Sequence, residues 1–196
     1  MTPRPFLIGL TGSMGMGKST TAQMFRDEGV PVWDADAAVH RMYSAGGAAV
    51  APLAQIRPQA IVDGAINRGR LKAWISENPD ALAKIEAIVH PLLAMDRATF
   101  IAGLDTHIAV LDFPLLLESG AENLVDMVVV VSAPPDVQRE RILQRGSMDS
   151  ATLETVLAKQ MPDSEKRARA DLVIETLEMN ATRRAVQDLL RRIKNA

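Results

Sequence analysis

The stretch Phe6-Leu7-Ile8-Gly9-Leu10-Thr11-Gly12-Ser13-Met14-Gly15-Met16-Gly17-Lys18-Ser19 decides how this chain folds. Its first half is a short apolar run of the kind that forms a strand buried on both faces. Its second half is a complete G-x-x-x-x-G-K-[ST] pattern, Gly12 to Ser19. Glycines let the backbone curl until successive N–H groups face an anion, and Lys18 adds a cation for the outer phosphates of a nucleotide. Ser19 offers a hydroxyl to a magnesium ion, and a helix starting near Lys18 aims the positive end of its dipole at the same charge. An ordinary strand-to-helix turn has no use for Lys18-Ser19 after three spaced glycines. Gly12, Ser13, Met14, Gly15, Met16, Gly17, Lys18, Ser19 and Thr20 are therefore the candidate ATP-binding residues.

Working outward, further strand candidates are Val30 to Trp33, Ile108 to Phe113, Asp126 to Val131 and Asp171 to Ile174, joining Pro5 to Thr11. Helical patterns separate them. Lys18 to Glu28 closes at Gly29, where a C-terminal cap sits. From Pro79 onward Leu82, Ile85, Val89, Leu92 and Met95 recur at spacings of three and four, one apolar face that Pro91 is expected to kink or divide. Pro135-Asp136 opens another helix, and Ala185, Val186, Leu189, Leu190 and Ile193 stripe the last one. Alternating strands and helices predict an α/β fold with right-handed crossovers. The segment between the second and third strands is too long for one crossover and too patterned for a loop, so residues 40 to 107 read as a helical insertion. Arg139 to Arg169 is dense in charge, breaks around Gly146, Ser147 and Asp149, and reads as a lid of two helices. The expected organisation is a single domain, 1–196, with its nucleotide core at 1–39, 108–138 and 170–196.

A chain of 196 residues buries a substantial core in one compact domain. Its net charge of −2 offers no electrostatic footprint for nucleic acid or anionic membrane, so neither is expected as a partner. The absence of cysteine excludes disulfides and thiolate chemistry and suits a reducing cytosol. No apolar run approaches bilayer length and the first residues lack a signal-peptide layout, so a soluble cytoplasmic protein is expected.

Ligands of open parallel sheets sit beyond the carboxyl ends of the strands, and that rule selects further residues. Asp34-Ala35-Asp36 follows the second strand, with two carboxylates that share a direction if strand geometry persists through them. One is free to cap a helix starting near Ala37 while the other takes a proton from an attacking hydroxyl; Asp36 is the favoured base and Asp34 its support. Asp112 ends the third strand, either near magnesium through water or bonded to nearby backbone. Glu118 is a substrate contact or an exposed loop residue. Arg141 and Arg145 stand at i,i+4, a costly spacing for like charges unless an anion lies between them, and are candidates for the transferring phosphoryl group. Arg167, Arg169, Arg183, Arg184, Arg191 and Arg192 read as solvated faces. His90, within an apolar helical pattern, reads as a packed structural residue; Trp33 and Trp74 read as core or pocket walls.

Taken in order, these residues resemble the dephospho-coenzyme A kinase family. The resemblance rests on Leu10-Thr11-Gly12, Asp34-Ala35-Asp36, Asp63-Gly64 with Arg68 and Leu71, His90-Pro91-Leu92, Pro114-Leu115-Leu116 with Glu118, the arginine helix, Gln160, and Ala170-Asp171-Leu172-Val173-Ile174. It implies a P-loop kinase: a five-stranded parallel sheet flanked by helices, with a helical substrate-binding region and a lid. It also implies ATP with Mg2+, and dephospho-coenzyme A phosphorylated on the ribose 3′-hydroxyl. Asp36 would be the base, Lys18 and Arg145 would stabilise the transferred group, Arg141 would serve ATP, and His90, Pro114, Leu115 and Glu118 would line the coenzyme pocket. A monomer or weak homo-oligomer is expected. Three positions depart from the family pattern: Ser13 for a glycine, Asn67 for an aspartate, and Glu175-Thr176 for an acidic-asparagine pair. The nearest rival is another small-metabolite or nucleotide kinase on the same scaffold. A GTP switch would want an N-K-x-D motif, which the chain lacks.

Overall fold

A computed structural model describes residues 4–144, 146, 157 and 160–195. Its contacts fall into two compact units, Met1–Trp33 with Leu104–Ala196, and Asp34–Gly103.

The first unit carries the strands β1 (Phe6–Thr11), β5 (Ile108–Asp112), β6 (Met127–Ser132) and β7 (Leu172–Glu175). With β2 (Val32–Asp34) at one edge they make a five-stranded sheet in the order β2-β5-β1-β6-β7. Pairing is parallel from β5 through β1 and β6 to β7. Central strands buried along nearly their whole length need helices on both faces, which is why they read as unbroken apolar runs. Helix α1 (Lys18–Asp27) buries Met24 and Phe25 in the main core with Ile8, Leu10, Val110, Val129 and Val131. The last helix, α8 (Met179–Lys194), adds Val186, Leu189 and Leu190 and packs against α1. Each such side chain removed from water contributes about 1.5–3 kcal/mol. A smaller cluster holds Leu116 and Leu117 against Val128 and Val130.

Three expected strand starts, at Pro5, Asp126 and Asp171, shift by one residue, and the second strand begins at Val32 instead of Val30. Asp126 and Asp171 sit just outside β6 and β7 and use their carboxylates instead, accepting Leu7 N–H at 2.8 Å and Val128 N–H at 2.7 Å. Helix α6 (Pro135–Gln144) follows β6, and α7 (Asp163–Ala168) precedes β7. The central part of the expected lid lies outside the described residues.

The second unit contains α2 (Ala35–Tyr43), α3 (Val50–Ile56), α4 (Arg68–Glu77) and α5 (Ala81–Ala102). It is not wholly helical. A 3-10 turn at Pro58–Ala60 leads to a hairpin of β3 (Ile61–Val62) and β4 (Ala65–Ile66). Its turn residues Asp63 and Gly64 have φ of 50° and 74°, the paired positive values a tight two-residue hairpin demands. Pro91 does not divide the long helix: α5 runs 22 residues through it. The Ala87 carbonyl loses one donor there, and packing of α5 against α2, α3 and α4 holds the helix together. Nor is the expected apolar face uniformly buried, since Ile85 and Val89 are packed while Leu82 and Met95 are 47% and 66% exposed. Trp74 is buried with the Arg57 guanidinium 5.6 Å from its ring centre, and Arg68 lies 5.8 Å from Tyr43. Burial raises the Tyr43 phenol above its ordinary pKa, with Arg68 opposing.

Candidate active site

The loop after β1 is held open by its own backbone. Gly15 and Gly17 adopt φ of 79° and 87°, which a side chain would strain, and a Cβ on Gly15 would lie 2.8 Å from Ile142. Ser13, the departure from the family pattern, does not share this demand: Asp63 is the one positive-φ residue other than glycine among the described residues. The Ser13 carbonyl accepts Met16 N–H at 3.2 Å and closes the turn. Gly17 is the N-cap of α1, which has no side-chain cap and no acid in its first turn. Its leading N–H groups, which no helix can satisfy internally, are thus available to an anion.

Register sets Asp112 beside this loop, because β5 pairs with β1 so that Asp112 lies opposite Leu10. Asp112 is 3% exposed and forms an ion pair with Lys18 Nζ. Phe113 N–H donates to Leu10 O at 2.9 Å, and the Thr11 hydroxyl donates to Pro114 O at 3.1 Å, fixing the segment after β5 to the loop's entrance. Leu115 is 50% exposed there. Trp33 is buried with its ring centre 6.0 Å from that of Phe113, a core position.

On the other side of the loop α6 presents Arg141, which donates to the Thr176 hydroxyl at 3.0 Å and to the Thr176 carbonyl. Thr176 in turn donates to Met16 O at 2.8 Å. A threonine in the place of the family's asparagine therefore ties the end of β7 to the loop. An open cavity of about 430 Å³ adjoins these groups, lined by Gly17, Thr20, Thr21, Arg141, Thr176 and Met179 among others. Its size falls in the range of small-molecule sites. Thr176 and Met179 went unnamed as site residues from the sequence; the signal was their position just past the carboxyl end of the last strand. Arg145 lies outside the described residues.

Glu118 is not an exposed loop residue. Its Oε1 accepts from Lys166 Nζ at 2.6 Å and from Met161 N–H at 3.4 Å, while its buried Oε2 has no hydrogen-bond partner. Lys166 is fully buried, so this pair pins α7 to the segment after β5. Arg167 and Arg169 likewise do more than face solvent. Arg167 donates to Ser132 Oγ at 3.0 Å, and Arg169 pairs with Glu122.

The remaining candidates belong to the second unit. β2 ends at Asp34, so strand geometry does not persist to Asp36 and the two carboxylates do not share a strand face. Asp34 is the N-cap of α2, accepting Ala37 N–H at 2.9 Å, and the helix begins at Ala35, earlier than expected. Capping occupies one carboxylate; Asp36, exposed in the first turn, is the other. His90 is exposed on α5 instead of packed. Asn67 caps α4 by accepting Arg70 N–H at 3.0 Å, the same service an aspartate would give. No group of three or more His, Cys, Asp or Glu side chains able to hold a metal occurs among the described residues. No helix among them is long and apolar enough to cross a membrane.

The family model described as "CoaE: Dephospho-CoA kinase" matches residues 6–181. The chain is 56% identical over 191 residues to a dephospho-CoA kinase of Cereibacter sphaeroides, covering 97% of each. The solved structure of TT1252 from Thermus thermophilus matches with a TM-score of 0.86 at 31% identity, over 96% of this chain and 98% of that one. A dephospho-CoA kinase from Campylobacter jejuni shares the fold, with a TM-score of 0.66 at 22% identity over 97% and 98% of the two chains.

Proposed function

We propose that this chain, which belongs to the dephospho-CoA kinase family, transfers the γ-phosphoryl group of ATP to the ribose 3′-hydroxyl of dephospho-coenzyme A through the residues described above. The observation that carries the assignment of roles is the Lys18–Asp112 pair beside an uncapped helix start. A cation and a row of backbone donors meet there on one side and a buried carboxylate on the other.

Phosphoryl transfer asks little covalent work of the protein and much positioning and charge stabilisation. The loop amides between Gly12 and Thr20 that are not already bonded within the protein, as those of Met14 and Met16 are, hold the phosphates together with the Lys18 ammonium. Arg141 faces the base and sugar across the cavity shared with Thr176 and Met179, and Arg145 acts on the transferring group. The hydroxyl of Ser19 and the carboxylate of Asp112, the latter through water, are hard oxygen donors that suit Mg2+ carried mainly by phosphate oxygens. Held there, the metal would supply neutralisation of phosphate charge. Asp36 accepts the proton as the 3′-oxygen bonds to the γ-phosphorus and the bond to the β,γ-bridging oxygen breaks, releasing ADP. Asp34 supports Asp36 by fixing the first turn of α2. His90, Pro114 and Leu115 line the coenzyme site, and Glu118 shapes it by anchoring the segment after β5 to Lys166. The protein acts in the cytoplasm as a monomer or weak homo-oligomer, without nucleic acid or membrane.

The direct test is to incubate the protein with ATP, Mg2+ and dephospho-coenzyme A and to locate the new phosphate by phosphorus NMR. A monoester coupled to the ribose 3′ proton is expected; a phosphate at any other hydroxyl would overturn the acceptor assignment.

A further inference from the structure

Met14 lies at the tip of the phosphate loop, and both polar groups of its backbone are engaged by side chains from elsewhere in the first unit. Its N–H donates to Gln160 Oε1 at 3.3 Å, and its carbonyl accepts from Gln138 Nε2 at 2.7 Å. Backbone polarity fixes how each amide must point, because an N–H only donates and a carbonyl only accepts. Gln138 is 7% exposed on α6, and Gln160 stands just before α7. The two glutamines thus reach the same residue from either side of the segment that joins those helices.

The neighbouring carbonyls follow the same pattern. Met16 O accepts from Thr176 at 2.8 Å, and Gly15 O lies 3.5 Å from Arg141. A trans peptide is planar, with its C=O and N–H on opposite sides. Drawing the Met14 carbonyl out toward Gln138 therefore turns the Gly15 N–H the other way, into the hollow of the loop. Drawing out the Met16 carbonyl does the same for the Gly17 N–H. A loop with glycines at positions 12, 15 and 17 has unusual conformational freedom to lose, so bonds from outside it must supply the rigidity that anion binding needs.

We propose that Gln138 and Gln160 are positioning residues for the phosphoryl transfer, clamping the two peptides that flank Met14 so that the loop amides are aimed before nucleotide arrives. The clamp rests on the functional reading above for its role in turnover but not for its effect on nucleotide binding. Its signature is a difference in hydrogen-bond polarity. Gln160→Glu keeps an acceptor for Met14 N–H, whereas Gln138→Glu sets a carboxylate against the Met14 carbonyl. Both variants add the same charge near the same loop.

The test measures Mg·ADP affinity by calorimetry, and kcat and both KM values with ATP and dephospho-coenzyme A. Gln160→Glu should stay within about threefold of the parent, while Gln138→Glu should lose about tenfold or more in ADP affinity and kcat, the scale of one lost buried bond. KM for dephospho-coenzyme A should not move in either variant. Should Gln138→Glu not fold, Gln138→Met removes the donor at similar volume and is expected to show the same loss. Equal behaviour of the two glutamate variants, whether both unaffected or both impaired, would overturn the clamp. ADP affinity reads the clamp by itself, so a parent protein that binds ADP without phosphorylating dephospho-coenzyme A overturns only the functional reading.

Discussion

Lys18 and Asp36 are the residues on which the proposed chemistry turns, and their surroundings give their substitutions different signatures. Lys18→Ala removes the proposed phosphate ligand and also the cation beside Asp112, whose side chain is 3% exposed. Transfer should be abolished and stability should fall, by about 1–3 kcal/mol, because the buried carboxylate loses a charged donor. Activity assays with a parallel urea melt check both parts, and an active Lys18→Ala protein would refute the loop's catalytic role. Asp36→Asn changes an exposed residue in the first turn of α2. Its stability cost should stay below about 1 kcal/mol, the scale of a charge at a helix start, while turnover drops by orders of magnitude and ATP binding survives. Near-normal turnover would remove Asp36 as the base. Much at this scale was legible in the sequence, since Gly12 to Ser19 is contiguous and its spacing is itself the signal. Thr176 was not, because its two uses, bonding Met16 O and receiving Arg141, join residues far apart in the chain.

Among the elements, α7 shows what sequence pattern alone misses. It is six residues long and reads as polar, yet Lys166 within it is fully buried against Glu118. A charge run suggests a solvated face, and nothing in Asp163 to Ala168 announces a carboxylate waiting 48 positions away. Removing either partner leaves a desolvated charge, so Lys166→Met or Glu118→Leu should each cost about 3 kcal/mol. The double variant should recover most of it in the same urea series; single variants with parental midpoints would show that the pair does not anchor α7. The hairpin at Asp63-Gly64 was legible in principle, because an Asp-Gly pair between short apolar runs is a turn signal. Its strands are only two residues each, too short to display alternation. The unbroken α5 marks the opposite limit, where packing along a helix outweighs the local cost of Pro91.

α1 and α8 are joined at the surface as well as in the core. Asp27 accepts from Gln23 and from Arg183, and its carboxyl is held below the ordinary pKa chiefly by the Gln23 hydrogen bond, then by Arg183. A lowered carboxylate pKa favours the folded state above the unfolded value of about 3.9, and that contribution is lost as pH falls through the lower folded value. Asp27→Asn should therefore lower the melting temperature slightly at pH 7, by an amount that shrinks as the pH falls below about 3.9. A difference that persists undiminished in acid would exclude the linkage.

For the whole molecule, the parallel sheet brings the ends of β1, β5, β6 and β7 to one edge, and the proposed nucleotide-binding residues of the first unit collect there. That much follows from apolar runs and one loop motif, because a sheet buried on both faces has few other ways to be wound. What the acceptor is does not follow from the sheet, which serves many kinases; it comes from family membership. The acceptor is therefore the claim to test. Incubation of the protein with ATP and Mg2+ and, in turn, dephospho-coenzyme A, adenylate, guanylate, cytidylate and nucleosides, with ADP release followed in each, measures it directly. Release should be stimulated by dephospho-coenzyme A far above every other acceptor. Equal or greater stimulation by a nucleoside or nucleoside monophosphate would contradict the account.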